Sequence, residues 1–136
     1  MAAGTTPIFL ATPKNWFGTT GTTANTALDG TGTVATIVTA GSNGSKITRI
    51  RLTALGSNAA TVVRFFINNG SANSSATNNA LMYEYALASN SLSQTAASVA
   101  ADIPIDLALQ AGYKLNVTIG TSVAAGIMVS AEGGDY

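Results

Sequence analysis

The sequence predicts an all-β protein, either a two-sheet sandwich or a barrel, and three observations lead to that prediction. From Thr33 to the C-terminus, short apolar segments alternate with clusters of Gly, Asn, Ser and Asp. Several of those segments alternate apolar and polar residues with the period of two that marks a half-buried strand. Helical spacing is absent, and the Ala-rich stretch 95–101 allows at most one short helical turn. Together these features are typical of sandwiches and barrels.

The composition narrows both size and function. A chain of 136 residues is roughly one domain and is long enough to bury a sizeable core. Only 9% of the residues are charged, and six basic residues balance six acidic ones, so the chain lacks the positive field of a nucleic-acid or membrane-surface binder. The absence of Cys and His excludes thiol chemistry, disulfides, Cys/His metal sites and imidazole-based catalytic triads. We therefore expect no enzyme activity, cofactor, small-molecule substrate, nucleic acid or membrane partner.

Residues 1–32 are predicted to form an extended N-terminal arm. Residues 1–10 place no basic segment before an apolar one, which argues against a secretory signal. Pro7–Ala11 is the only stretch of this region that reads as a short strand, and Gly and Pro residues mark the rest as turns. We expect the arm to lie on its own sandwich or on a neighbouring molecule, anchored by the isolated pair Trp16 and Phe17.

Residues 33–136 are predicted to form the β-sandwich domain, which brings the total to about eight strands with the arm included. The clearest alternation places Tyr113, Leu115, Val117 and Ile119 on one face of a strand. A second alternation places Leu81, Tyr83, Tyr85 and Leu87 on one face. The expected strands are Val34–Thr39, Lys46–Leu55, Thr61–Ile67, Ala80–Ala88, Asp102–Leu107, Tyr113–Ile119 and Gly126–Glu132.

Three of the six basic residues, Arg49, Arg51 and Arg64, cluster on either side of Gly56–Ala59, which reads as a hairpin turn. A hairpin there places Arg51 opposite Arg64 and Arg49 opposite Phe66, and its other face pairs Ile50 with Phe65 and Leu52 with Val63. Opposed like charges are destabilising, so an anionic neighbour is expected. Two main alternatives stay open: Glu84 supplies an ion pair within the chain, or an acidic group of another subunit meets the arginines.

Other candidate sites are weaker. Asp102 and Asp106 are spaced to share one side of a strand, as in a glycosidase pair or a calcium site, although exposed positions on an edge strand beside Pro104 explain them equally well. The Gly-rich stretches 18–23 and 29–32 lack the Lys that follows a phosphate-binding loop and read as turns. A lectin-like groove lined by Trp16, Tyr83 or Tyr85 is a further alternative.

Several stretches of the chain also resemble small virion proteins of tailed bacteriophages, of the capsid decoration or cement type. These stretches are Thr5–Phe9, Gly30–Gly32, Phe65–Gly70, Leu109–Gly120 and the terminal Gly133–Tyr136. The resemblance implies a jelly-roll-like antiparallel sandwich, commonly a homotrimer, on the outer surface of the phage head. It implies the major capsid protein as partner and synthesis in the host cytoplasm, and it supplies no catalytic residues.

On this interpretation the chain is a virion structural protein that stabilises the head. The candidate interface residues are Trp16, Phe17, Arg49, Arg51, Arg64 and Tyr136. A head-fibre or tail-fibre tip that recognises a host surface glycan is the alternative function.

Overall fold

The computed structural model describes residues 9–136, and in them the chain forms eight β-strands. The strands are β1 (Thr12–Thr19), β2 (Ala35–Thr39), β3 (Ser45–Ala54), β4 (Thr61–Asn68), β5 (Asn79–Leu87), β6 (Ala100–Leu109), β7 (Lys114–Ile119) and β8 (Ile127–Asp135). The helical content of this range is one short 3₁₀ turn at Ala76–Asn78. The prediction of an all-β protein with about eight strands is confirmed.

The strands form two four-stranded antiparallel sheets with the strand orders β1-β8-β3-β6 (sheet A) and β2-β7-β4-β5 (sheet B). Successive strands alternate between the sheets except at β4 and β5, which form a hairpin. This order is that of an eight-stranded jelly roll with two interleaved Greek keys. The predicted jelly-roll-like sandwich is therefore the observed fold.

Within the predicted arm, residues 12–19 form β1, which pairs along its whole length with β8 on the chain's own sandwich. The strand expected at Pro7–Ala11 is misplaced: Pro7 and Ile8 lie outside the described residues, and the strand begins at Thr12. Trp16 points inward from β1 and packs against the hydrophobic core, whereas Phe17 remains 73% exposed. Alternation along β1 thus separates the two aromatic residues that the sequence groups together.

The core lies between the sheets and is built from the inward-facing positions of both. Ile50 and Leu52 of β3 and Val63 and Phe65 of β4 are all at most 1% exposed. Burial of side chains of this size stabilises a fold by about 1.5–3 kcal/mol each. The apolar face predicted for β7 is confirmed, because its Leu115, Val117 and Ile119 also lie in this cluster.

The predicted hairpin between β3 and β4 is wrong. The two strands belong to different sheets, so Arg51 lies opposite Asp102 and Ser130, and Arg64 lies opposite Glu84 and Thr118. The connection after Ala54 crosses from sheet A to sheet B instead of reversing within one sheet. The apolar positions of the two strands still meet, because they face each other across the core and not along a ladder.

Two buried asparagines join the β3–β4 connection to the β5–β6 connection. Asn58 and Asn90 exchange both backbone hydrogen bonds, each 2.9 Å long. The Asn58 side chain donates to the Gly126 carbonyl and accepts from the Ala125 N–H, and the Asn90 side chain donates to the Gly56 carbonyl. These bonds supply partners that backbone groups outside the strands otherwise lack.

The segment 20–34 covers the face of sheet B that points away from the core. Gly30 has a φ of +75°, and a Cβ there would lie 2.6 Å from Asn79 Cβ and 3.1 Å from the Phe66 ring. Asn25 donates its backbone N–H to the Ile119 carbonyl over 2.8 Å. This cover explains why Phe66 and Thr118, on the outer face, are buried as deeply as core residues.

The end of β8 needs glycine for steric reasons. A Cβ on Gly133 would collide with the Lys46 carbonyl of β3, and one on Gly134 would lie 2.6 Å from the Thr12 carbonyl of β1. The two glycines therefore let β8 approach both of its neighbours closely. The two glycines of the Gly133–Tyr136 stretch are thus explained by close packing within sheet A.

Candidate functional site

The strongest candidate site is a groove at one lateral edge of the sandwich, where β5 and β6 face each other as the last strands of their sheets. It has a volume of about 360 Å³ and is lined by Met82, Tyr83 and Tyr85 of β5 and by Ile103, Pro104 and Ile105 of β6, with Asp102 at its rim. A mostly apolar concavity of this size with a few polar groups is the usual form of a binding site.

Local irregularity in β5 shapes this groove. The pairing of β4 with β5 shifts register between Phe65 and Phe66, so Tyr83 lies opposite Phe65 while Leu81 lies opposite Phe66. The extra residue, Met82, packs against the core. The prediction that Leu81 shares a face with Tyr83 is therefore wrong. Tyr83 remains 45% exposed and contacts Phe65 with a ring-centroid distance of 6.4 Å.

A chain of charges crosses the outer face of sheet A beside this groove. Arg51 Nε donates to Asp102 Oδ1 over 2.8 Å. Arg49 Nε lies 3.7 Å from Asp102 Oδ1, and Arg49 Nη2 lies 3.7 Å from Glu132 Oε1. The Arg51 hydrogen bond lowers the pKa of Asp102, and the same bond raises the pKa of Arg51. The anionic neighbours expected for Arg49 and Arg51 are therefore Asp102 and Glu132 of this chain.

Arg64 lies on the opposite side of the molecule, on the outer face of sheet B. Its Nε donates to Glu84 Oε1 over 2.7 Å, and its guanidinium packs against Gly120. Of the two alternatives for the arginines, an ion pair with Glu84 within the chain is what the structure shows for Arg64. Arg49 and Arg51 take different carboxylates because they belong to the other sheet.

Asp102 and Asp106 share the outer side of β6, as the spacing predicts, but they do not form an acidic pair. Asp102 forms an ion pair with Arg51, and Asp106 Oδ1 lies 2.8 Å from Lys46 Nζ. The hydrogen bond to Asp106 raises the pKa of Lys46. Residues 9–136 hold no group of three or more acidic side chains that could bind a metal ion. This arrangement favours neither glycosidase chemistry nor a calcium site.

The remaining predicted interface residues are scattered over the molecule. Trp16 is half-buried in its own core, Phe17 is exposed on the outer side of β1, and Tyr136 donates its backbone N–H to the Gly44 carbonyl. Trp16 therefore lies at the edge opposite to Tyr83 and Tyr85 and does not share a groove with them.

Sequence reasoning singled out Tyr83, Tyr85 and Asp102 separately but missed that they meet. The edge-strand alternative beside Pro104 agrees with the position of β6 at the border of sheet A. A proline is tolerated in an edge strand, but this signal does not show which strand of the other sheet faces β6, so the groove with β5 was missed.

Comparisons of the chain with family models, curated proteins and solved structures found no match. Among residues 9–136, no helix has the length and apolarity needed to cross a membrane.

Proposed function

We propose that this protein is a virion structural protein, a capsid decoration or cement subunit that binds the major capsid protein and stabilises the phage head. The observation that carries the proposal is the placement of large exposed apolar side chains at both lateral edges of the sandwich. Phe9 and Phe17 are 76% and 73% exposed at the β1 edge, and Leu81 and Tyr83 are 40% and 45% exposed at the β5 edge. A subunit that joins neighbours on both sides needs contact surfaces of this kind.

The fold and the sequence resemblance support the same proposal. Eight-stranded jelly rolls are common in viral capsid domains. The resemblance to small phage virion proteins adds the expected location on the capsid surface and a homotrimer. A trimer attaches through several weak contacts at once, which raises avidity without a strong individual contact.

The experiment is a count of copies in purified particles of the source, by quantitative mass spectrometry against the major capsid protein. We expect a number comparable with that of the major capsid protein, and we expect particles stripped of this chain to release DNA at a lower temperature. A handful of copies per particle would contradict the decoration role.

A fibre-tip module that binds a host glycan is the second candidate, and the groove favours it specifically. Tyr83 and Tyr85 offer aromatic faces there, and the Asp102 carboxylate offers a hydrogen-bond acceptor. The test is binding of the full chain to an array of bacterial surface oligosaccharides. Glycan binding predicts a signal that Tyr83→Ala abolishes and that Phe17→Ala, a change at an exposed aromatic residue outside the groove, leaves intact.

A further inference from the structure

The two lateral edges of the sandwich differ in how they are closed. At one edge β1 lies against β2, and a Cβ on Gly18 would come within 3.1 Å of Ile37 Cδ1. At the other edge β5 and β6 are separated by the groove, so apolar side chains of both strands border solvent. The fold thus closes its core on the β1 side and leaves it open on the β5 side.

The open edge also carries backbone groups without partners in their sheets. β5 is hydrogen-bonded only to β4, and β6 only to β3, within residues 9–136. Pro104 removes one N–H donor from β6. An edge strand beside an apolar groove is the usual acceptor for an extended peptide, which adds backbone hydrogen bonds and places alternate side chains in the groove.

The β1 side of the molecule presents an exposed aromatic side chain, that of Phe9, which matches the apolar groove in character. Phe9 is 76% exposed, two residues before Ala11, whose N–H donates to the Asp135 carbonyl. The run Pro7–Leu10 carries no charged side chain. The groove volume of about 360 Å³ equals roughly a dozen water molecules, which is room for one aromatic ring and a second apolar side chain.

We propose that the β5–β6 groove binds the Pro7–Leu10 segment of a second copy of this chain, with Phe9 inserted beside Tyr83. The inference deepens the proposed function and rests on it, because a coat subunit is surrounded by further copies of itself. The contact is heterologous, since the β1 edge of one copy meets the β5 edge of the next. Such contacts close into rings when the rotation between copies permits, and a trimer is one such ring.

Phe9 cannot fill the groove of its own chain. Thr12, Asp135, Ser45 and Leu109 lie level across sheet A, and β6 is three strand spacings, about 14 Å, from β1. Pro104 lies five residues along β6 from Leu109, a further ~17 Å, which puts the groove about 20 Å away. Phe9 is tethered two residues from Ala11 and can move by only about 7 Å.

The absence of cysteine in the natural chain permits a test without background. The full chain is prepared as Phe9→Cys and as Tyr83→Cys, the second with heavy isotopes, and the two are mixed and oxidised. Mass spectrometry of the disulfide-linked dimers then separates mixed pairs from identical ones. Phe17→Cys is the matched control. Phe17 is about as exposed as Phe9 and lies at the same lateral edge of the sandwich, in β1.

We expect mixed Phe9→Cys/Tyr83→Cys dimers to form on the order of tenfold faster than Phe17→Cys/Tyr83→Cys dimers, since proximity raises the effective concentration of the two thiols. In sedimentation experiments on the cysteine-free chain, Phe9→Asp should shift the protein toward monomer, while Phe17→Asp should not. Both results together support the proposal.

Three outcomes would overturn it. Equal rates with Phe9→Cys and Phe17→Cys would show that the segment has no preferred site. A predominance of Tyr83→Cys homodimers would show that two β5 edges pair with each other. Oligosaccharide binding lost in Tyr83→Ala, without cross-linking to Phe9→Cys, would assign the groove to a glycan. The copy number in particles tests the proposed function separately, so either result can fail while the other stands.

Discussion

The Asn90→Ala substitution tests whether the two connections at one end of the sandwich are held together by side-chain hydrogen bonds. Asn90 is 7% exposed, donates to the Gly56 carbonyl over 2.7 Å and accepts from the Val99 N–H over 2.8 Å. The substitution removes both bonds and leaves the Gly56 carbonyl, in a buried residue, with no partner in the described chain. The backbone bridge to Asn58 does not depend on the side chain and should persist.

The expected loss of stability follows from the hydrogen bonds that the two partners of the Asn90 side chain lose. A buried acceptor left without a donor costs about 1–3 kcal/mol, and the bond to the half-buried Val99 N–H contributes about 1 kcal/mol net. The sum is about 2–4 kcal/mol, which is a large fraction of the roughly 5–15 kcal/mol that stabilises an ordinary domain. For a chain of this size the melting temperature should fall by roughly 10 °C.

Urea unfolding followed by circular dichroism measures the free energy, with Asn43→Ala as the control. Asn43 is also an asparagine in a connection, but it is exposed and makes one long bond of 3.4 Å to the Tyr136 carbonyl. Its replacement should cost less than about 0.5 kcal/mol. If the free energy of unfolding of Asn90→Ala also lies within about 0.5 kcal/mol of the wild-type value, the side chain does not hold the connections together.

Three further perturbations have clear expected outcomes. Gly133→Ala should destabilise the fold by about 3 kcal/mol, because its Cβ meets the β3 backbone, whereas Ser130→Ala on the same strand should have little effect in the same unfolding assay. The Ser45 hydroxyl and Lys14 lower the pKa of Asp135, so that carboxylate stabilises the fold above the unfolded pKa of about 3.9 and its contribution is lost as the pH falls through the lower folded pKa. Asp135→Asn should therefore flatten the acid limb of a stability-against-pH curve, and an unchanged limb would contradict this. Arg51→Ala should weaken the fold less than Asn90→Ala, and the loss should shrink as salt is added in thermal melts, because the Arg51–Asp102 pair is exposed.

The strands could be predicted because each carries its own signal. Tyr113–Ile119 alternates cleanly, and the observed strand differs from the prediction by one residue. Turn residues around 41–45 and 110–112 mark the ends of neighbouring strands correctly. These signals are local, so a single chain contains them in full.

The pairing of strands is a different matter, because it depends on residues far apart in the sequence. The apolar patterns of β3 and β4 fit a hairpin and fit two sheets packed face to face equally well. What distinguishes them is which strand pairs with β3, and Asp102, the β6 residue opposite Arg51, lies 51 residues away from it. The groove is hidden for a related reason, since Tyr83 and Pro104 belong to different sheets and meet only after the chain has crossed between them.

Burial of polar residues on the outer face of sheet B was equally beyond local pattern. Asn116 and Thr118 alternate with apolar residues and read as solvent-exposed, yet they are 2% and 3% exposed. The reason is the segment 20–34, which packs on this face. Its Thr/Gly-rich sequence has no periodicity from which that packing could be predicted. Its position is set instead by hydrogen bonds from Asn73 and Asn79 to its carbonyls.

The position of β8 has a consequence for how the chain folds during synthesis. β8 is the last of the described strands to be made, yet it lies inside sheet A between β1 and β3. β1, made first among the described strands, has no hydrogen-bonding partner until residues 127–135 emerge from the ribosome. Because such distant pairings slow folding, sheet A should form late, after residues 127–135 have emerged. Ribosome-stalled chains that end before Ile127 should accordingly remain sensitive to protease.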